Sequence, residues 1–384
     1  MTPIRSTVVD VDLDAIAANI RALSAAGERV IAVVKADAYG HGAEMVAETA
    51  LEAGAAMVAV FTVEEGILLR RTLTGGPILV LGGVTDPAEA EAVVANALRV
   101  MVWDEHRARL LAAAARAAGG RVVAHMKVDT GLTRLGVHPD RALERWNAIA
   151  AIPGIELEGI FTHFATADDA GDTFAAEQMR RFAEVVGSLP SRPALVHAAA
   201  SAGVAALGAA PPCNAIRPGL AIYGLYTAPH LETPRLRPAL RWSSRIHRLA
   251  AVPAGTGVGY NFEYRTHRPS RIATVPVGYG DGLPRAARRA DVLVLGHRLP
   301  IAKRVAMDLF MVDVTDLPDA REGDEVVLIG TQDGERQSAE DLAAACGTIN
   351  YEIVTNIRQR VPRRYFRDGR LVATRTMADG LVRT

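Results

Sequence analysis

The sequence predicts an α/β fold: an N-terminal (β/α)8 TIM-type barrel followed by a C-terminal, mostly-β domain. Two observations carry this. Between residues 30 and 224, eight short apolar runs alternate with alanine-rich helical stretches, and after about residue 237 the texture changes to alternating or β-branched runs separated by Gly, Pro and Asp. A chain of 384 residues with 49% hydrophobic content can fill both cores.

The eight runs read VIAVV (30–34), MVAVF (57–61), ILVLG (78–82), RVMVW (99–103), VVAHMKV (122–128), LEGIFTH (157–163), ALVHA (194–198) and AIRPG (215–219). Between them, EAEAVVANAL and HRARLLAAAARAAGG favour helix, and the Gly pair stops the second. Before the first run, Asp12 can cap a helix carrying Leu13, Ile16, Ile20 and Leu23 on one face. Eight β-α units imply a closed barrel, with an open doubly wound sheet as the alternative. In the second half, RWSSRIHRLAAV, RIATVPVG, DVLVLG, RVAMDLFMVDV and DEVVLIG read as strands, SAEDLAAACG (338–347) as a helix, and Asp368-Gly369 as the turn of a final hairpin. The boundary falls at 236/237, giving a barrel over 1–236 and a β domain over 237–384.

Composition narrows the function. No stretch approaches about eighteen consecutive apolar residues, and the start MTPIRSTVVDVDLD lacks the apolar run of a secretory signal, so cytoplasm is the expected location. Cys213 and Cys346 form no C-x-x-C pair, which disfavours a disulfide framework or a cysteine zinc site. No H-E-x-x-H helix suggests metal chemistry, and no metal is expected. Basic and acidic residues balance at 43 each without a basic block, so small molecules rather than nucleic acid are the expected partners. Of the 43 basic residues, only Lys35, Lys127 and Lys303 are lysine. Arginine stays protonated and cannot serve as an imine-forming amine, whereas a desolvated lysine can. A lysine in this chain therefore invites a chemical explanation, although Lys303 alone reads as a solvated charge.

Barrel enzymes place chemistry at the C-terminal ends of their strands, with phosphate beside the loops after strands seven and eight. Lys35 follows the first run, Arg134 lies after the fifth, His163 ends the sixth, Ser201 follows the seventh, and Arg217 and Gly219 end the eighth. All fall on one face.

At these residues the chain resembles the bacterial alanine racemases, pyridoxal-phosphate enzymes. AVVKADAYGHG (32–42) resembles the family's cofactor-attachment motif. The likeness continues in order through KVDTGLTRLG (127–136), THFATAD (162–168), RPGLAIYG (217–224), VGYNFEY (258–264), VPVGYGDGLPR (275–285), RVAMDLFMVD (304–313) and YEIVTNIRQRVPR (351–363).

The resemblance implies that Lys35 carries pyridoxal 5'-phosphate through its amine and acts as one acid/base on the substrate α proton. Tyr260 matches the second acid/base, supplied to the opposite face of the substrate by the other subunit of a homodimer with shared active sites. Free tyrosine has a pKa of about 10 and needs help to act as a base. The resemblance supplies His163 and Arg217 as a cationic relay favouring phenolate, and gives Arg217 a second role at the pyridine nitrogen. Phosphate binding is implied for Tyr39, Ser201, Gly219, Leu220 and Tyr351. Arg134 matches an arginine that contacts the cofactor and the substrate carboxylate, and Lys127 matches a lysine carbamylated in some members, which would hold Arg134. Met307 and Asp308 match a loop reaching substrate from the partner, Tyr279 and Tyr351 an inner gate, and Asp168, Arg285, Arg304 and Ile349 an outer access corridor.

The chain departs from the family pattern at Ala200, commonly Asn, at Leu309, commonly Gln, and at Gly259 and Asn261, where the family has Ser-Tyr-Gly. None removes a reacting group, but second-sphere polarity changes. The expected activity is interconversion of L- and D-alanine, for peptidoglycan supply or alanine catabolism. The alternatives are a broader-specificity or serine racemase and a non-catalytic pyridoxal-phosphate carrier; a basic amino-acid decarboxylase would lack the combination of Tyr260 with RPGLAIYG.

Overall fold

The computed structural model describes residues 4–25, 27–208, 210–228, 230–231 and 235–384. It divides into two compact units, one of Ala15–Ala38 and Ala43–Pro238, the other of residues up to Asp14, Tyr39–Gly42 and Ala239–Thr384.

The first unit is a closed barrel of eight parallel strands: Arg29–Val33, Met57–Val60, Ile78–Val80, Arg99–Val102, Val122–Lys127, Ile155–Phe161, Leu195–His197 and Ala215–Ile216. Each coincides with one of the eight apolar runs. The strands are almost continuously apolar because both of their faces are covered, and residues such as Ile31, Val58, Leu79, Val100 and Val196 are fully buried. Between them, helices begin on side-chain caps. Thr62 accepts from Glu65 N in a capping box, and Asp86 and Asp104 accept from Glu89 N and Arg107 N. The first helix, Leu13–Leu23, buries the expected Leu13, Ile16, Ile20 and Leu23. From that helix Asn19 spans Ile222 O and Arg237 O, tying it to the chain beyond the last strand.

The second unit is a twelve-stranded sheet with a separate two-stranded ribbon, Gly257–Val258 with Tyr264–Arg265. The helix Ala339–Cys346 starts at a Ser338 capping box, and Arg363–Arg367 and Arg370–Thr376 form the hairpin around Asp368 and Gly369, both at positive φ.

The structure differs from the 236/237 division at the N-terminus. Strand Val8–Asp12 lies inside the large sheet, antiparallel to Leu240–Arg245 and parallel to Arg363–Arg367. Its pattern explains why: Val9 and Val11 are buried, while Asp10 takes a two-pronged bond from Arg364 at 2.6 and 2.8 Å in the neighbouring strand.

Two glycines of the AYGHG motif are explained in this unit. Gly40 has φ +81°, and a Cβ there would meet Val354 O at 2.1 Å; Gly42 has φ +100°, and a Cβ there would fall 1.9 Å from the Tyr365 hydroxyl oxygen. The Gly40 carbonyl also accepts from Nε and Nη2 of buried Arg363. Gly40→Ala is expected to lower stability by about 3 kcal/mol, from backbone strain plus a clash that only chain movement can relieve. Urea unfolding measures it.

Candidate active site

Lys35 stands just past the first barrel strand, whose end is fixed by the Tyr223 hydroxyl donating to Val33 O at 2.9 Å. The next four residues, Ala36 to Tyr39, all have φ between 52 and 56°, a turn of left-handed helix that costs about 1–2 kcal/mol per non-glycine residue. Such strain persists only when neighbours over-determine it. Here Ala36 N donates to Glu65 Oε1 at 2.6 Å, while Glu65 Oε2 takes Phe61 N and Thr62 N. Asp37 Oδ1 accepts from Ala43 N at 2.9 Å and closes the turn. Lys35 is thereby held half-buried beside the Phe61 ring, 5.9 Å from its centroid. Burial and then the Arg134 charge push its amine pKa down, against a smaller opposing pull from Glu65.

Around it the barrel gathers cations. Arg217, directly after the eighth strand, is buried and donates to Thr162 O at 2.6 Å, Ala198 O at 3.0 Å, His197 Nδ1 at 2.7 Å and His163 Nδ1 at 3.3 Å. His163 is thus fixed as an acceptor at Nδ1, with Nε2–H left to donate. Burial, then the charges of Arg217, Lys127, Arg134 and Lys35, hold its pKa well below the ordinary value, so it is neutral. Gln178 braces it by donating to His163 O while accepting from Ala165 N.

Lys127 ends the fifth strand, buried under the Phe161 ring, and burial together with Arg217 and Arg134 brings its pKa down to about 7. Arg134 is exposed and has no carboxylate partner among the described residues. Lys303, the third lysine, is exposed in the other unit, as a solvated charge should be.

After the seventh and eighth strands, Ser201 Oγ accepts from Gly219 N and Ala221 N, each at 3.1 Å. This joins the two loops and leaves the hydroxyl proton to donate elsewhere. The Leu220 N–H, buried between those two amides, donates to no acceptor among the described residues. A buried, unpaired amide beside a hydroxyl donor fits a phosphate oxygen. Ala200 occupies the cap position of the short helix Ser201–Leu207 without a side-chain bond.

In the second unit, Tyr260 lies in the turn of the two-stranded ribbon and is 71% exposed. The departures beside it keep the backbone usable. Gly259 (φ 72°, ψ −171°) takes a conformation closed to other residues, and Asn261 (φ 60°, ψ 6°) is of the type that tolerates the left-handed region. The ribbon's other tyrosine, Tyr264, donates to Asp313 at 2.6 Å, and burial with that bond pushes its pKa up to about 12. Among the described residues, the Tyr260 hydroxyl has no such partner.

Tyr279 and Met307 are exposed side by side, Tyr279 N donating to Ala306 O and Gly280 N to Met307 O. Asp308 accepts from Arg360 at 2.6 Å, and Arg360 also grips buried Asp281. The rings of Tyr39 and Tyr351 lie 6.1 Å apart at 49°. Asp168 and Arg285 are exposed, as is Ile349, whereas Arg304 is half-buried against Glu263. Among the described residues no cluster of His, Cys, Asp or Glu is arranged to hold a metal, and no helix is long and apolar enough to cross a membrane.

The sequence did not flag Glu65, Gln178, Arg360, His125 or His197. A usable signal existed for the histidines alone: each is a buried polar residue in a mostly apolar barrel strand, His125 inside VVAHMK and His197 at the end of LVH.

Comparison with known proteins supplies the rest. The family descriptions "Alanine racemase, N-terminal domain" and "Alanine racemase, C-terminal domain" match residues 11–227 and 239–365. The alanine racemase of Symbiobacterium thermophilum is 44% identical over 94% of this chain and 97% of its own, and that of Halothermothrix orenii 40% identical over 94% and 97%. Among solved structures, the Bacillus anthracis alanine racemase with bound L-Ala-P superposes with a TM-score of 0.90 at 35% identity, covering 99% of this chain and 100% of that one.

Proposed function

Because the chain belongs to the alanine racemase family, an isomerase family, we propose that it interconverts L- and D-alanine with pyridoxal 5'-phosphate and two acid/base residues, Lys35 and Tyr260. The observation that carries this reading is Lys35 itself, a rare lysine held half-buried at the catalytic mouth of the barrel with its amine pKa pushed down.

When bound, pyridoxal phosphate supplies an electron sink that weakens the substrate Cα–H bond. We assign its phosphate to Ser201, Gly219 and Leu220 in the barrel unit. The Lys35 amine holds the cofactor, then takes or returns the α proton on one face. Tyr260 of a partner subunit in a homodimer works the other face, so one group removes a proton while the other donates one. Neutral His163, with Nε2–H available, donates to the Tyr260 phenolate and stabilises it, and the Arg217 charge behind it favours the same ionisation. Arg217 would also hold the cofactor through its pyridine nitrogen, where a permanently charged donor would keep that nitrogen unprotonated and moderate the sink. Its pKa, lowered by burial to about 10, still leaves it charged at neutral pH.

Arg134 takes the substrate carboxylate. Lys127, with a pKa of about 7, presents enough free amine for its nitrogen to attack carbon dioxide and lose a proton, giving a carbamate that pairs with Arg134. Met307, Asp308 and Tyr279 reach substrate as the partner's contribution. Small amino acids are the substrates, and the cytoplasm is the location, in either D-alanine supply for peptidoglycan or alanine catabolism.

The test is one preparation. Purified protein given pyridoxal phosphate is expected to develop the absorption of a lysine-bound cofactor and, in a chiral assay over a panel of amino acids, to racemise alanine fastest. Absence of the band sinks the cofactor reading; a faster reaction with serine sinks the substrate assignment.

A further inference from the structure

Arg217 is a buried guanidinium with no carboxylate against it among the described residues, a costly arrangement unless a counter-charge reaches it. Its bond to His197 continues. His197 Nε2 lies 2.8 Å from His125 Nδ1, and His125 Nε2 lies 2.9 Å from Glu158 Oε2. Both oxygens of Glu158 are gripped by Arg99, at 2.6 and 3.0 Å. Both imidazoles are fully buried, while Glu158 and Arg99 are partly exposed. Arg99 is the first residue of its strand, so the pair lies toward the barrel mouth opposite Lys35.

The direction of this line is dictated at both ends. A guanidinium only donates, so His197 Nδ1 accepts and its proton sits on Nε2. His125 Nδ1 must then accept, which puts its proton on Nε2, facing a carboxylate that only accepts. Burial pushes the Glu158 carboxyl up, but the bonds from His125 and Arg99 and the Arg99 charge outweigh it and hold it at about 2. Burial holds both histidines below their ordinary range, hence neutral.

We propose that Glu158 is a positioning residue for Arg217: from the far mouth of the barrel it fixes His125 and His197 as Nε2–H tautomers and so delivers the counter-charge that keeps Arg217 ionised and correctly aimed. The strand is built for this. Pairing between the fifth and sixth strands slips by one residue at Ala124/His125, so that Ala124 faces Leu157, His125 faces Gly159 and Glu158 is the extra residue, as in a bulge that re-aims a side chain. Gly159 leaves room for the His125 ring, since a Cβ there would sit 2.6 Å from its Nδ1. His197 is stacked on Phe161, centroids 4.8 Å apart and planes within 7°, which fixes the ring that passes the bond on.

What Arg217 then does rests on the racemase reading, but the tautomers do not. They are read directly by nitrogen–proton correlation NMR on the cofactor-loaded, 15N-histidine-labelled protein. Nε2–H on both His125 and His197 is expected, and Nδ1–H on either overturns the proposal without any variant. Glu158→Gln keeps shape but can donate as well as accept, so it admits the reversed line. A second His125 population bearing Nδ1–H is expected, with kcat lowered about tenfold and KM within about twofold, and with recovery in Glu158→Asp. Wild-type tautomers together with wild-type kcat in Glu158→Gln overturn it. A protein that binds no pyridoxal phosphate yet shows both Nε2–H signals retains the tautomer line and loses the racemase reading, so the two failures are distinguishable.

Discussion

Lys35→Ala is expected to lower alanine racemisation by about 10³-fold or more, because one change removes both the proposed covalent anchor of the cofactor and one of the two proposed acid/base groups. The absorption band of the lysine-bound cofactor should vanish with it. The fold should survive: Lys35 lies beyond the end of its strand, and the left-handed turn after it is held through Ala36 N, Asp37 and Glu65 rather than through the lysine side chain. Circular dichroism and the unfolding midpoint check this. Lys127 cannot substitute. Its amine belongs to a different strand, under Phe161.

Tyr260→Phe is expected to have a comparable effect on racemisation, about 10³-fold, yet a different signature. Phenylalanine keeps the ring and removes only the proton-carrying oxygen, and an exposed side chain makes little contribution to stability. Lys35 remains able to exchange the α proton of the enantiomer it serves. In deuterated water, α-proton exchange should therefore persist for one enantiomer of alanine and be lost for the other. Equal, mild effects on both would contradict two bases on opposite faces. Mixing Lys35→Ala subunits with Tyr260→Phe subunits should restore part of the activity, because in a shared-site dimer one of the two sites then has both groups intact. No recovery in verified mixed dimers would mean that each site is built from one chain.

The barrel was legible because its strands are buried on both faces and read as continuous apolar runs; the structure confirms all eight. The strand Val8–Asp12 was not, since five residues of VVDVD have no meaning without partners that lie far along the chain, in Leu240–Arg245 and Arg363–Arg367. The left-handed turn after Lys35 was also hidden: Ala36 and Ala38 give no signal of positive φ, and the residue that holds the turn, Glu65, reads from sequence as an ordinary member of a helix start. Tyr260 is proposed through its motif, and the structure adds that the hydroxyl of Tyr264, four residues on, is committed to Asp313. The line from Arg217 to Glu158 was invisible because it depends on a one-residue slip in strand pairing, which no periodicity records.

The central claim is that, of three lysines, Lys35 carries the cofactor. Borohydride treatment of the pyridoxal-phosphate-loaded protein reduces the link to a stable bond, and peptide mapping by mass spectrometry then locates it. The pyridoxyl label is expected on the peptide containing Lys35. A label on Lys127 or Lys303 instead, or no label at all, would contradict the account.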